Sequence, residues 1–208
     1  MAGTGKLVDL AGDAVRGAIR AYHGSPARGI RQFDPKRIGS SGNGTAIGYG
    51  FNFSEDPGFA RQYTPFTGKT YEVEIGYPED SLLRLDESPA GQHLDAISDM
   101  IARAPVNSWQ GEAIADLARG KSAHTVLESL LRSYNTADMG RPKNMARIAS
   151  ELFDRQIPGG VTQTYGPKAY VMYPGTEDSI SILRKYGLLP ATLGAEGLVN
   201  QQPEQNQR

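Results

Sequence analysis

The chain has 208 residues, with 22 Lys and Arg against 23 Asp and Glu, a formal net charge of -1 and no cysteine. This length favours one domain with terminal extensions, large enough to bury a core without disulfides or metals. The lack of cysteine excludes a thiol nucleophile, a thiolate metal site and a disulfide framework. The balanced charge argues against strong nonspecific binding to nucleic acid or a membrane. No apolar run approaches the roughly 18 residues of a membrane span, and the N-terminus lacks the apolar core of a secretory signal, so we expect a cytoplasmic protein.

The N-terminal part of the chain predicts a helix, a short strand and a long loop. Residues 6–20 carry apolar side chains at helical spacing and predict an amphipathic helix. We therefore assign residues 1–18 to an N-terminal helical extension that packs on the domain or on a neighbour. Residues 21–25 read as the end of a strand. In the loop over residues 26–50 the glycines cluster after Gly39, where the backbone can approach a ligand closely.

Two further strands flank a short predicted helix. Residues 51–54 are strand-like. Asp56 followed by Pro57 predicts the start of a helix that carries Tyr63. Residues 70–75 alternate between apolar and charged side chains, which is typical of a strand with one buried face.

The middle of the chain is helical, and strands return near the end. Helical periodicity covers residues 92–104, 110–119, 122–134 and 143–155. Residues 168–174 and 179–187 read as strands, and residues 191–208 form a polar tail that we expect to be disordered. Strands at both ends of a helical block exclude a regular βαβ alternation and predict an α+β domain over residues 19–190.

The most informative segments are Tyr-His-Gly at His23, the glycine-rich loop, and the strand around Phe53, with Tyr63 ten residues later. Taken alone, His23 is more often structural than catalytic, and the glycines lack the spacing of a Rossmann turn. Taken in this order, the segments resemble the His-Tyr-Glu class of ADP-ribosyltransferases, and in particular the ADP-ribosyltransferase-like domains of phage-encoded polyvalent proteins. The matching segments are Tyr22–Pro26, Gly39–Gly50, Gly50–Ser54, Tyr71–Ile75 and Ile157–Tyr173, so the resemblance spans roughly residues 19–187.

The resemblance implies split antiparallel β-sheets with an inserted helical block and a cleft that takes NAD as substrate. It implies that His23 hydrogen-bonds the adenosine-side ribose and that Gly24 offers backbone groups to the nicotinamide carboxamide. It also implies that Tyr63 stacks on the nicotinamide ring, an attraction of about 0.5–2 kcal/mol for an aromatic face and a cation. The predicted NAD-binding set is His23, Gly24, Ser25, Arg31, Phe53 and Tyr63.

Ordinary structural roles compete with several of these assignments. The alternative for Tyr63, which we favour less, is a helix residue packed on the core, and Phe53 is expected to point into the core. The basic cluster Arg28, Arg31, Lys36 and Arg37 is either a solvated loop face or a phosphate-binding group, with Arg31 and Arg37 as the candidate contacts to NAD.

Two positions depart from the family pattern. Asn52 stands where the family often has a tyrosine; an asparagine can hydrogen-bond a ribose but cannot stack. Ala169 stands where poly-ADP-ribosylating relatives have a glutamate that polarises the nicotinamide ribose and helps the acceptor attack. Three alternatives remain for the missing glutamate. Gln163, as first candidate, or Glu177, as second, takes its place; transfer of ADP-ribose is slow; or the domain binds its ligand without catalysis. Gln163 also suits a polar residue at a strand edge. The predicted catalytic set is His23, Asn52 and Gln163.

Other polar residues are assigned structural roles. Glu72 and Glu74 imitate the Glu-x-Glu signature of another ADP-ribosyltransferase class, but they follow the stacking segment directly, so we expect solvated charges on the outer strand face. His93 and His124 have no partners at metal-ligand spacing, and no metal is expected.

The resemblance thus implies an NAD-dependent ADP-ribosyltransferase of the phage or effector type that mono-ADP-ribosylates a macromolecule, a host protein first among the candidates, in the cytoplasm of the host cell. The alternative is a catalytically dead module that binds NAD or a partner protein. Processing of an RNA 2′-phosphate or modification of a nucleic acid is a third possibility, which the near-neutral charge argues against. The oligomeric state is not predicted.

Overall fold

The computed structural model describes residues 17–40, 47–64, 68–135, 141–164 and 166–186. Over these ranges the chain forms seven strands and five α-helices, and most of the helices come in one block between the fourth and fifth strands. The predicted α+β class is therefore confirmed.

The strands form one mixed sheet. Their bounds are β1 (Ala18–Ser25), β2 (Phe51–Ser54), β3 (Lys69–Pro78), β4 (Leu83–Arg84), β5 (Gly159–Thr162), β6 (Ala169–Met172) and β7 (Ile180–Tyr186). The spatial order is β4-β5-β6-β2-β1-β3-β7. Neighbouring strands are antiparallel except β4 and β5, which are parallel.

The seam between β1 and β2 is the weakest join in this sheet. β1 pairs with β3 along its whole length, from Ala18 to Ser25, but with β2 at one position, Tyr22 opposite Ser54. The resemblance implied two split sheets, whereas the hydrogen bonding gives one sheet whose two parts meet at a single residue pair. Few backbone hydrogen bonds therefore join the two parts of the sheet.

The prediction of an N-terminal helix over residues 6–20 is wrong for its last three residues, which belong to β1. Gly17 has a φ of 101°, in the left-handed region, and β1 begins at the next residue. Ile19 pairs with Ile75, and Arg20 pairs with Glu74, so residues 18–20 take part in a β-ladder. Long-range pairing has overridden the local helical spacing here. Residues 1–16 and the predicted tail over residues 191–208 lie outside the described residues.

The helical block matches its prediction closely. The helices are α1 (Pro57–Arg61), α2 (Gly91–Arg103), α3 (Ser108–Ala118), α4 (Ala123–Asn135) and α5 (Arg141–Asp154). Asp56 caps α1 through its side chain, as predicted, and Asn107 caps α3 in the same way. Each cap satisfies backbone N–H groups that have no partner within the helix.

Two apolar cores lie on opposite faces of the sheet. Val171 on β6 packs with Ile97, Leu130 and the rest of the helical block, whereas its neighbours Tyr170 and Met172 join the core that contains the phenylalanines of the cleft. This alternation follows from the two-residue repeat of a strand. None of the helices within the described ranges is long and apolar enough to cross a membrane.

The prediction of a solvated Glu72 is wrong. Its side chain is buried, and its carboxylate accepts a 2.6 Å hydrogen bond from the Tyr186 hydroxyl. Arg20 Nη1 lies 3.7 Å and Arg184 Nε 3.9 Å from its oxygens. The flanking strands β1 and β7 bring these groups over it, so pairing and not spacing decided its burial. Glu74 is exposed, as predicted.

Candidate active site

A cavity of about 1090 Å³ opens beside the seam between β1 and β2. Its walls come from β1, β2, α1 and the loop after β1. All six residues of the predicted NAD-binding set line it, namely His23, Gly24, Ser25, Arg31, Phe53 and Tyr63. Asn52, from the predicted catalytic set, lines it as well. His23 and Tyr63, which lie far apart in the sequence, therefore share one cleft.

Gly24 is the residue that lets α1 approach β1. A Cβ atom at this position would lie 1.8 Å from the backbone oxygen of Ala60 and 3.3 Å from Tyr63 Cβ. No side chain fits at that distance, so a residue larger than glycine would push α1 and Tyr63 away from the strand. The small residue beside His23 thus has a packing role that the sequence pattern alone did not reveal.

Tyr63 stands at the open side of the cleft. Its side chain is 43% exposed, so it is not a core residue, and its ring contacts Phe59 with the ring centroids 5.8 Å apart. One face of such a ring is available to stack on a planar ligand.

His23 bridges the seam with its side chain. Nδ1 lies 2.8 Å from the backbone oxygen of Asn52. Since a carbonyl can only accept, Nδ1 carries the hydrogen, and in the neutral imidazole Nε2 is left as an acceptor. Burial lowers the pKa of His23, and the hydrogen bond to Asn52 opposes that shift. The neutral form is therefore the one present near pH 7.

The imidazole is held in a cluster of aromatic rings. The centroid of Phe33 lies 5.1 Å away in an edge-on arrangement, and that of Phe53 lies 5.6 Å away. Phe53 is 3% exposed and belongs to the core, as expected, so it forms the floor of the cleft more than a contact surface. These rings fix the orientation of His23.

Phe33 and Tyr71 are two site residues that the sequence analysis missed. Phe33 lies in a loop without periodicity, and Tyr71 reads as an ordinary buried strand residue. The Tyr71 hydroxyl donates to the backbone oxygen of Ala27 at 2.7 Å and accepts from the backbone N–H of Ile30 at 3.2 Å. It thereby ties the loop that walls the cleft to β3. A tyrosine opposite His23 in the strand pairing was the available signal, but it requires the register of β1 and β3.

The charged lining is mainly cationic. Arg28, Arg31 and Arg37 line the cavity, whereas Lys36 does not. Asp34 is the one carboxylate among the described lining residues, and it accepts a 2.9 Å hydrogen bond from the backbone of Lys36 and lies 3.9 Å from Arg37 Nε. Three guanidinium groups against one carboxylate favour an anionic ligand group.

Ala169, where the resemblance to the ADP-ribosyltransferases led us to look for a glutamate, faces the cleft. Ala169 lines the cavity and pairs with Ser54 across β6 and β2. Gln163 does not line it: this residue is exposed beyond the end of β5, with its backbone N–H bonded to Asp86. Glu177 does not line it either; its carboxylate accepts hydrogen bonds from the backbone N–H of Gly175. The structure therefore does not bring Gln163 together with His23 and Asn52 in the cleft, since β6 lies between its strand and β2.

Asn52 contributes its backbone more than its side chain. Its carbonyl holds His23, and its Nδ2 donates to the backbone oxygen of Gly50 at 3.3 Å. Within the described ranges, no group of three or more His, Asp or Glu side chains is placed to hold a metal ion.

No family model, no curated protein and no solved structure matches this chain. Any function assigned to it therefore depends on the residues and geometry of the cleft.

Proposed function

We propose that the chain is an NAD-dependent ADP-ribosyltransferase of the His-Tyr-Glu type, of phage or effector origin, that transfers single ADP-ribose groups to a macromolecule, with a host protein as the expected target. The observation that carries this proposal is the convergence of His23 and Tyr63 in one cavity of about 1090 Å³. That volume is slightly above the range for small-molecule sites, about 300–1,000 Å³, and suits a ligand as large as a dinucleotide.

The cleft offers complementary groups to three parts of NAD, namely the nicotinamide ring, a ribose and the pyrophosphate. The exposed Tyr63 ring suits the planar, positively charged nicotinamide. His23 Nε2, as an acceptor, suits a ribose hydroxyl, which is a donor. The arginines of the lining suit the pyrophosphate, because guanidinium groups bind phosphate oxygens through paired hydrogen bonds.

The reaction is the cleavage of the bond between the nicotinamide nitrogen and the ribose C1 atom. The bonding electron pair leaves with nicotinamide, C1 takes on oxocarbenium character as in glycoside hydrolysis, and an acceptor nucleophile forms the new bond to C1. The acceptor loses its proton in this step. With Ala169 in the lining and no glutamate among the described lining residues, that proton goes to the substrate or solvent, so transfer is slow.

The same absence supports the second candidate, a module that binds NAD or a partner without turnover. The alanine at position 169 favours it, because general acid–base assistance contributes about 10²–10⁴-fold to rates of this kind. The two candidates share the NAD-binding cleft and differ in chemistry alone.

The decisive experiment incubates the protein with NAD labelled in the adenylate part and a host lysate. An enzyme transfers label to protein, and His23→Ala abolishes the transfer. Lys36→Ala, a charge removal in the same loop but outside the cavity, leaves the transfer intact. Calorimetry with NAD runs in parallel: binding without transfer supports the module, and the absence of both binding and consumption refutes both candidates.

A gain-of-function variant separates slow chemistry from no chemistry. Ala169→Glu places a carboxylate in the cleft at the family position, and for an enzyme limited by that group we expect transfer to rise at least tenfold. A noncatalytic module stays inert in this variant while its NAD affinity is measurable. Circular dichroism checks that the buried substitution leaves the fold intact.

A further inference from the structure

The loop after β1 supplies the charged side chains that line the cleft. It contributes three guanidinium groups and one carboxylate to the described lining, namely those of Arg28, Arg31, Arg37 and Asp34. Residues 41–46 and 65–67, which adjoin lining residues in the sequence but lie outside the described ranges, contain no charged side chain. These two segments therefore leave the charge balance of the lining unchanged.

Arg31 differs from Arg37 in its surroundings. The carboxylate of Asp34 is placed against Arg37, with its Oδ2 atom 3.9 Å from the Arg37 Nε atom, and its Oδ1 atom accepts a hydrogen bond from the backbone N–H of Lys36. Among the described residues, no carboxylate forms an ion pair with Arg31. A guanidinium group in this state offers its planar set of N–H donors to a phosphate, which it can bind through two parallel hydrogen bonds.

The backbone on both sides of Arg31 is fixed by hydrogen bonds to distant parts of the chain. On one side, the backbone N–H of Ile30 donates to the Tyr71 hydroxyl at 3.2 Å. On the other side, Gln32 Nε2 donates to Asp178 Oδ1 at 2.9 Å. These two contacts connect the loop to β3 and to the turn before β7, so they restrict the position from which the Arg31 side chain extends.

Phe33 adds a third point of attachment, two residues after Arg31. It is 5% exposed, and its ring packs edge-on against the rings of His23 and Phe53, with centroids 5.1 and 5.2 Å away. The loop is therefore ordered before a ligand arrives. A charged group on an ordered backbone loses less conformational entropy on binding than one on a mobile loop.

We propose that Arg31 is the residue of the cleft that binds a phosphate group of the ligand, and that Tyr71 is a positioning residue that holds the loop of Arg31 for this contact. The proposal rests on the function proposed for the cleft and deepens it, because the phosphates are those of the NAD pyrophosphate.

Titration of NAD into the full-length protein, followed by calorimetry at a series of salt concentrations, tests the role of Arg31. Arg31→Gln should weaken NAD binding roughly tenfold to hundredfold, which is the loss expected for hydrogen bonds to a charged group. It should also reduce the dependence of the dissociation constant on salt, because salt screens the contact between the two charges. Arg31→Lys keeps the charge without the planar donor set, so it should keep the salt dependence and lose part of the affinity.

Lys36→Gln is the matched control, since it removes a charge from the same loop at a residue outside the cavity. Its affinity for NAD and its salt dependence should stay close to those of the wild type. Wild-type affinity in Arg31→Gln, an unchanged salt dependence in that variant, or an equal loss in Lys36→Gln would each overturn the assignment of Arg31. Arg31 is exposed, and equal melting temperatures show that its variants are folded.

A double-mutant cycle tests the role of Tyr71. Tyr71→Phe should weaken NAD binding roughly threefold to tenfold in the wild type, because the loop loses the hydroxyl that holds it. In the Arg31→Gln background the same substitution should have little effect, since Tyr71 acts on the ligand through Arg31. Equal effects in the two backgrounds would overturn the positioning role.

The same titrations separate failure of this inference from failure of the proposed function. If the wild type does not bind NAD, the function proposed for the cleft is refuted, and the assignment of Arg31 is refuted with it. If the wild type binds NAD and Arg31→Gln binds it equally well, only the inference about Arg31 is wrong.

Discussion

The helical block over α2 to α5 and the cleft beside β1 and β2 are built on different principles. The block is held by apolar faces at regular spacing, with Ile97, Met100 and Leu130 fully buried. The cleft depends on single contacts between distant segments: a side-chain bond from His23 to Asn52, a glycine at position 24, and a tyrosine hydroxyl that ties down a loop.

This difference predicts how each region responds to substitution. A periodic apolar face distributes its stabilisation over many contacts, so losing one side chain lowers global stability and leaves distant geometry unchanged. A site made of single contacts loses its geometry when one of them is changed, even where the free energy of unfolding shifts little. The substitutions below test that contrast, from the largest expected effect to the smallest.

Leu130→Ala should lower the free energy of unfolding by about 2–5 kcal/mol, because it removes a fully buried side chain and leaves a cavity. Ile114→Ala, in the same block but 54% exposed, should stay within about 0.5 kcal/mol of wild type. Urea titration measures both. A change in the affinity of the cleft for NAD in Leu130→Ala, measured under conditions in which the variant is folded, would contradict the contrast between the two regions.

Gly24→Ala should destabilise the protein by about 1–3 kcal/mol, since its Cβ would overlap Ala60 and force α1 off the strand. Gly29→Ala is the matched control: it lies in the neighbouring loop, and nothing lies within 4 Å of its added Cβ. Thermal unfolding should separate the two variants clearly. Equal melting temperatures would show that α1 does not pack on Gly24 in solution.

Tyr63→Ala should weaken NAD binding by about 1–3 kcal/mol, the range for stacking of an aromatic side chain on a base. Tyr63→Phe keeps the ring and should bind nearly as well as wild type. Because the side chain is 43% exposed, neither substitution should alter the melting temperature much. An unchanged dissociation constant for Tyr63→Ala in calorimetry would contradict the stacking role.

Tyr71→Phe should cost about 1 kcal/mol, because it removes the hydroxyl that bonds both Ala27 and Ile30. Its specific signature is local: amide hydrogen exchange should speed up over residues 26–33 and stay constant over α4. Uniformly faster exchange would mean that the hydroxyl supports the whole fold and not the wall of the cleft.

The smallest effect concerns pH. Because burial lowers the pKa of His23 in the folded protein, the unfolded chain binds more protons below its own pKa of about 6.5. Above about pH 6.5 His23 therefore makes its full contribution to the free energy of unfolding. This contribution is lost as the pH falls from there through the lowered pKa of the folded protein, and the free energy of unfolding changes by at most about 1.4 kcal/mol per pH unit.

The pKa of His93 is lowered as well, again by burial, so it adds to the slope in the same window. His23→Gln should therefore flatten the dependence of the free energy of unfolding on pH as the pH falls below about 6.5, without abolishing it. An identical slope in His23→Gln would mean that His23 is protonated as readily in the folded protein as in the unfolded chain.

Much of the fold follows from local patterns. The four long helices were predicted to within two residues at every end, because their apolar faces repeat at the helical period. The strand over residues 70–75 and the short helix after Asp56 were predicted for similar local reasons.

Predictions from local patterns were wrong where strand pairing imposed a different structure. Residues 18–20 have helical spacing but pair with β3, and Glu72 alternates as an outward residue but is covered by Arg20, Arg184 and Tyr186. The sequence also could not show that Gln163 lies outside the cleft, because its position in the sheet depends on the order of β5, β6 and β2, which no single segment encodes.

The amino-acid sequence by itself determined the α+β class, the helical block, and which residue types were available for the cleft, because these depend on composition and on contacts within a few residues. Tertiary structure alone decided that His23 and Tyr63 share a cleft, that Asn52 sets the tautomer of the imidazole through its backbone, and that Tyr71 holds the wall. Each of these joins residues that are distant along the chain, and their contact requires the strand order and register that only the folded sheet supplies.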